Sequence, residues 1–109
     1  MTKRILVVED QEDNRRIIRD LLMNAGYELI EAADGEAGVR LAETERPDLI
    51  LMDIQLPVLD GHEATRRIKQ NPELSAIPII VVTSYALSGD DVKAMEAGSD
   101  AYVAKPFSP

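Results

Sequence analysis

With 109 residues, 45% of them apolar and 29% charged, the chain is expected to be one domain that buries its own core, neither disordered nor membrane-embedded. Twelve basic residues against twenty acidic ones give a net charge of -8, which opposes direct binding to nucleic acid and favours a protein or a metal as partner. Without cysteine there are no disulfides and no thiol chemistry; no apolar run approaches the roughly 20 residues that span a bilayer, and Met1 to Arg4 shows no signal peptide, so a cytoplasmic location is expected.

Ile5-Leu6-Val7-Val8 is a continuous apolar run, the pattern of a strand covered on both faces, and it ends in the acid pair Glu9-Asp10. A helix is expected from about Asp13, with Ile17, Leu21, Leu22 and Ala25 inward, Arg15, Arg16 and Arg19 mainly toward water, and Gly26 at its C′ stop. Residues 27–32 read as a second, weaker strand. Asp34-Gly35 then turns into a short helix to about Glu45, with Val39 and Ala42 inward and Pro47 ending it. Gly38 inside that helix costs about 1 kcal/mol relative to alanine, which close packing would offset.

Leu49-Ile50-Leu51-Met52 is the next buried strand and delivers Asp53 at its end. Asp60 and Glu63 have the spacing of a capping box, opening a helix with Ala64 and Ile68 inward and Asn71-Pro72 as its stop. Residues 78–82 form a fourth strand ending at Thr83-Ser84. Ser88 and Asp91 cap a further short helix, with Val92 and Met95 inward and Gly98 at its end, and residues 101–104 are the fifth strand.

Strands separated by helices at this spacing make βαβ units and a mostly parallel sheet with right-handed connections. Such sheets place their sites outside the carboxyl ends of the strands. Glu9, Asp10, Asp53, Thr83 and Lys105 all fall at those ends. Crowded carboxylates repel one another unless a cation compensates, so the three acids indicate a divalent metal, and acids with a lysine opposite suit a phosphoryl group. Taken singly, each residue has a plainer reading: a solvated loop pair for Glu9-Asp10, a turn or cap for Asp53, a polar strand end for Thr83, core packing for Tyr102. Gln55 and Tyr85 read equally as exposed loop side chains, and His62, the one histidine, as a helix-face residue.

The segments I-L-V-V-E-D (5–10), D-G-E-A (34–37), P-D-L-I-L-M-D-I-Q-L-P-V-L-D-G (47–61), P-I-I-V-V-T-S (78–84) and A-Y-V-A-K-P-F (101–107) together tile almost the whole chain. The set resembles the receiver domain of two-component response regulators, in its single-domain, chemotaxis-regulator-like form. The resemblance implies a flavodoxin-like, doubly wound α/β fold with a five-stranded parallel sheet in the order 2-1-3-4-5. It makes residues 1–109 one receiver domain, C-terminally short, since the family's last amphipathic helix after K-P-F has no counterpart before Pro109. Asp53 would then be the phosphoacceptor, taking a phosphoryl group from a phosphohistidine of a histidine kinase or histidine phosphotransferase. Mg2+ would be held by Asp10, Asp53, the Gln55 backbone carbonyl and, through water, Glu9. Lys105 and Thr83 would contact the phosphoryl oxygens, Thr83 and Tyr102 would switch a surface read by a downstream protein, and Gln55 and Tyr85 would tune hydrolysis. The Lys105-Pro106 bond is expected to be cis.

The family resembled is a phosphoacceptor that promotes its own phosphorylation and dephosphorylation, not a turnover enzyme. An aspartyl-phosphate phosphatase of similar topology would have D-x-D at the nucleophile, and here Gln55 stands where the second acid belongs. A flavodoxin-type flavin site needs a hydroxyl- and glycine-rich phosphate loop after the first strand, and residues 9–13, E-D-Q-E-D, would repel a phosphate. A pseudo-receiver acting only by contact requires a damaged acid pocket, and this pocket is intact in sequence. M-D-I-Q-L-P-V-L-D-G also resembles receivers attached to hybrid histidine kinases. Apolar sheet surface left by a missing last helix favours association, so a dimer through that face is expected as one outcome.

Overall fold

The computed structural model describes residues 3–53, 59, 61–83 and 101–104, which form five strands and three helices. In chain order these are β1 (Arg4–Val8), α1 (Glu12–Asn24), β2 (Glu28–Ala32), α2 (Gly35–Glu45), β3 (Leu49–Asp53), α3 (Gly61–Gln70), β4 (Ile79–Thr83) and β5 (Ala101–Ala104). Every neighbouring pair of strands is parallel, and the order β2-β1-β3-β4-β5 is the expected one. After β2 the chain crosses to the other side of β1, so the topological switch point lies between the carboxyl ends of β1 and β3.

Both faces of β1 are covered, as its unbroken apolar run requires. Leu6 and Val8 join Ala42 of α2, Ala64 and Ile68 of α3, and Ile50 and Met52 of β3 in the larger core cluster. Ile5 and Val7 point the other way, onto Ile18 of α1. In α3 the inward pair Ala64 and Ile68 is fully buried as expected, and Thr65 beside them satisfies its hydroxyl by donating to the Gly61 carbonyl at 2.7 Å. Gly38 of α2 sits where a Cβ would stand 2.8 and 3.0 Å from the Val8 methyls, so this glycine is there for close helix–strand approach.

The phase of α1 differs from the sequence expectation. Ile18 is the buried residue and Leu22 packs half-buried beside it, whereas Leu21 is 40% exposed and Ala25 is exposed. The covered residues of α1 are Asn14, Arg15, Ile17, Ile18, Arg19 and Leu22, so Ile17 and Leu22 are half-buried as expected and two of the set are arginines. Glu31 on β2 sets this phase. It accepts two hydrogen bonds from Arg19, at 3.0 and 2.8 Å, and pairs with Arg15 at 3.5 Å. Arg15 and Arg19 are thus partly covered ion-pair partners rather than wet residues, and the Arg19 pKa is pushed up by the Glu31 hydrogen bonds and then by its charge. Counting only apolar residues misses a helix face whose inward side carries two arginines.

Helix ends follow local chemistry. Gly26, at φ +92, closes α1 in a Schellman arrangement, with Gly26 N–H donating to Met23 O and Tyr27 N–H to Leu22 O. Asp34 caps α2 by accepting from the Ala37 N–H at 2.8 Å. Arg46, left-handed at φ 45, ends α2, because the following Pro47 disfavours the right-handed helical conformation at that residue. The expected cap Asp60 and the expected helix over 88–98 lie outside the described residues. Among the described residues no helix is long and apolar enough to cross a membrane.

Candidate metal centre

Each acid reaches the switch point by strand geometry. Val8 is level with Met52, so Glu9 and Asp53 leave adjacent strands at the same height. The Glu9 N–H still donates to the Ala32 carbonyl at 3.0 Å, extending the β1–β2 ladder one step and burying Glu9 to 2% exposure. Asp53, last residue of β3 and paired in register with Val82, is 5% exposed, while Asp10 is exposed at the rim. One carboxylate oxygen from each of Glu9, Asp10 and Asp53 lies within 4.8 Å of the others.

Two unit charges about 5 Å apart at an effective dielectric near 20 repel by roughly 3 kcal/mol, and three such pairs are present if all three groups are ionised. A divalent cation at the centre reverses that sign. The donor set consists of hard oxygens, two enclosed and one open to solvent, which suits a small cation that keeps some of its water. The three acids expected to share a metal are thus brought together.

Glu9 is further fixed from α1. Asn14 donates its side-chain amide to Glu9 Oε1 at 2.6 Å and to Gln11 Oε1 at 3.1 Å, and the Arg15 guanidinium donates to the Glu9 carbonyl at 2.8 Å. Asn14 was not singled out from sequence, and Arg15 was read only as a helix residue facing mainly toward water. The available signal was their place in the first turn of the helix that follows Glu9-Asp10, a position that reaches back over the strand end.

Thr83 closes β4 level with Ala104 of β5, and Tyr102 is level with Val81. Lys105 is the next residue in sequence after Ala104. Lys105 itself, Gln55 and Tyr85 lie outside the described residues, as does the Lys105-Pro106 bond.

Residues 5–109 match the response regulator receiver domain family. The polar-differentiation response regulator DivK of Brucella ovis is 45% identical over 108 residues, covering 99% of this chain and 88% of DivK. The receiver domain of sensor histidine kinase PA1611 from Pseudomonas aeruginosa, solved with a magnesium ion coordinated in its active site cleft, superposes with a TM-score of 0.92 at 44% identity, covering 99% of this chain and 88% of that one. Chemotaxis protein CheY4 of Vibrio cholerae gives a TM-score of 0.93 at 28% identity, covering all of this chain and 91% of CheY4. With the family match over residues 5–109 and relatives of this identity and coverage, the chain belongs to the response regulator receiver domain family.

Proposed function

We propose that this chain accepts a phosphoryl group on Asp53 from a phosphohistidine on a histidine kinase or histidine phosphotransferase, in a Mg2+-dependent reaction. The observation that carries the reading is the convergence of the Glu9, Asp10 and Asp53 carboxylate oxygens within 4.8 Å at the switch point of a receiver sheet. Phosphoryl transfer requires mainly positioning and electrostatic neutralisation. An Asp53 carboxylate oxygen attacks phosphorus in line, the P–N bond to the donor imidazole breaks, and its electron pair stays on that nitrogen, which takes up a proton. Asp10 and Asp53 would hold the metal directly and Glu9 through water, with the Gln55 carbonyl completing the protein ligands. Bound there, Mg2+ supplies positive charge against the phosphoryl oxygens. Asn14 and Arg15 keep Glu9 aimed at the site while Asp53 reacts.

Thr83 and Lys105 would gather round the added charge, roughly -1.5 to -2 at neutral pH, and Tyr102 would follow Thr83, altering a surface read by a downstream protein. Gln55 and Tyr85 would flank the phosphoryl group and tune its hydrolysis. In this reading the chain is a cytoplasmic switch and not a turnover enzyme. Incubation with acetyl phosphate and Mg2+, followed by intact-mass measurement, should show one phosphoryl group on the wild-type chain and none on Asp53→Asn. Equal uptake by both would refute the assignment, and chelating Mg2+ should stop uptake.

Self-association through the α1 face belongs to the same proposal. Leu22, Leu29, Leu49 and Leu51 are only half-buried there, beside a cavity of about 330 Å3 lined by Ile5, Leu22, Tyr27 and Leu49 with Lys3 and Asp48. Size-exclusion chromatography over a range of concentrations should show a dimer. A monomer throughout removes this part and leaves the chemistry untouched.

A further inference from the structure

Gly35, the first residue of α2, lies buried against the main chain of Leu59. A methyl group at Gly35 would fall within the van der Waals envelope of the Leu59 carbonyl oxygen, 2.8 Å from that carbonyl's carbon and 3.0 Å from Leu59 Cβ. A backbone carbonyl cannot swing aside as the end of a long side chain can, so any side chain here forces one of the two segments to move. Neither is loosely held. Asp34 caps α2 on one side of Gly35, Gly38 and Ala42 pack that helix onto the core, and Leu59 packs half-buried against the same core.

Leu59 is six residues beyond Asp53 and two before Gly61, where α3 begins. The chain leaving the phosphoacceptor is therefore tied at one end by the β3 ladder and tied again at Leu59. We propose that Gly35 is a positioning residue for the Asp53 site: its bare Cα lets α2 seat Leu59 and so sets the second anchor of the chain that leaves Asp53, an inference that rests on the phosphoacceptor reading. Gly35 touches no reacting atom and acts through Leu59.

The test compares wild type, Gly35→Ala and Ala42→Gly by urea unfolding, by the Mg2+ concentration giving half-maximal thermal stabilisation, and by the rate of acetyl-phosphate labelling. Ala42 is fully buried in the same helix, away from Leu59, and supplies a matched loss of packing. Gly35→Ala is expected to raise the Mg2+ midpoint severalfold and slow labelling about tenfold, the size seen when support around a metal ligand is removed. Ala42→Gly is expected to lose stability and keep the wild-type midpoint and rate. If Gly35→Ala does not fold, Leu59→Ala, which removes the anchoring side chain and keeps the main chain, should show the same two defects. Wild-type midpoint and rate in folded Gly35→Ala or in Leu59→Ala would overturn the inference, as would the same defects in Ala42→Gly. Absence of label on wild type would sink the phosphoacceptor reading itself, and the Mg2+ midpoint would then decide the role of Gly35 alone.

Discussion

Among the described residues, eleven buried ones form one cluster on the face covered by α2 and α3, from Ala32 of β2 to Val81 of β4, whereas the buried cluster on the α1 face consists of Ile5, Val7 and Ile18. Beside that cluster, among the described residues, lie half-buried leucines and Arg15 and Arg19 laid over Glu31. The two faces serve the site differently. Asp53 leaves a strand whose neighbours Ile50 and Met52 are clamped in the deep cluster, and interlocked side chains of that kind hold a backbone in one position. Glu9 is held from the α1 side by polar contacts from Asn14 and Arg15, which can readjust at small cost. Both acids thus leave strands clamped in the deep cluster, and Glu9 is held in addition by hydrogen bonds from α1.

The largest effect that would sharpen this contrast is Ile68→Ala. Ile68 is fully buried between α3 and the sheet, and removing it leaves a cavity that should cost about 2–5 kcal/mol in urea unfolding. Loss below that range would mean the deep face collapses easily and is not the rigid side. Gly38→Ala should come next. Its methyl would press on the two Val8 methyls, and overpacking of about 1–3 kcal/mol exceeds the gain of about 1 kcal/mol in helix propensity, so the variant should be less stable than wild type. A stabilised Gly38→Ala would show that α2 can lift away from β1.

Much of this was legible in the residues. The unbroken apolar runs at 5–8 and 49–52 gave buried parallel strands, and acids placed directly after them could only end at the carboxyl edge. Gly26 as the stop of α1 and the turn at Asp34-Gly35 into α2 were readable because their chemistry is local. The phase of α1 was not, because Glu31, the residue that draws Arg15 and Arg19 inward, arrives from a different strand. Asn14 escaped notice for the same reason: an amide in a first helical turn signals nothing until the strand end beneath it is in place. The contact of Gly35 with Leu59 joins residues 24 positions apart, and a glycine next to a capping aspartate has a sufficient local explanation without it.

On the α1 face the expected effects are smaller. Leu22→Ala removes a side chain that is only half withdrawn from water, so at about 0.8 kcal/mol per fully buried methylene the loss should be about 1 kcal/mol, well short of Ile68→Ala. An equal loss at the two positions would erase the difference between the faces. Glu31→Gln should disturb stability least. It removes the partner of Arg15 and Arg19 while keeping the shape of the side chain, and both pairs remain in reach of solvent, where screening and the entropy of long side chains cancel most of the attraction. The deficit should shrink toward zero as salt is added, since screened charges lose most where they gain least from burial. If the deficit persists at high salt, Glu31 fixes the phase of α1 by hydrogen-bond geometry rather than charge, and Asn14 and Arg15 would then lose their aim on Glu9 as well, lowering Mg2+ affinity in the same variant.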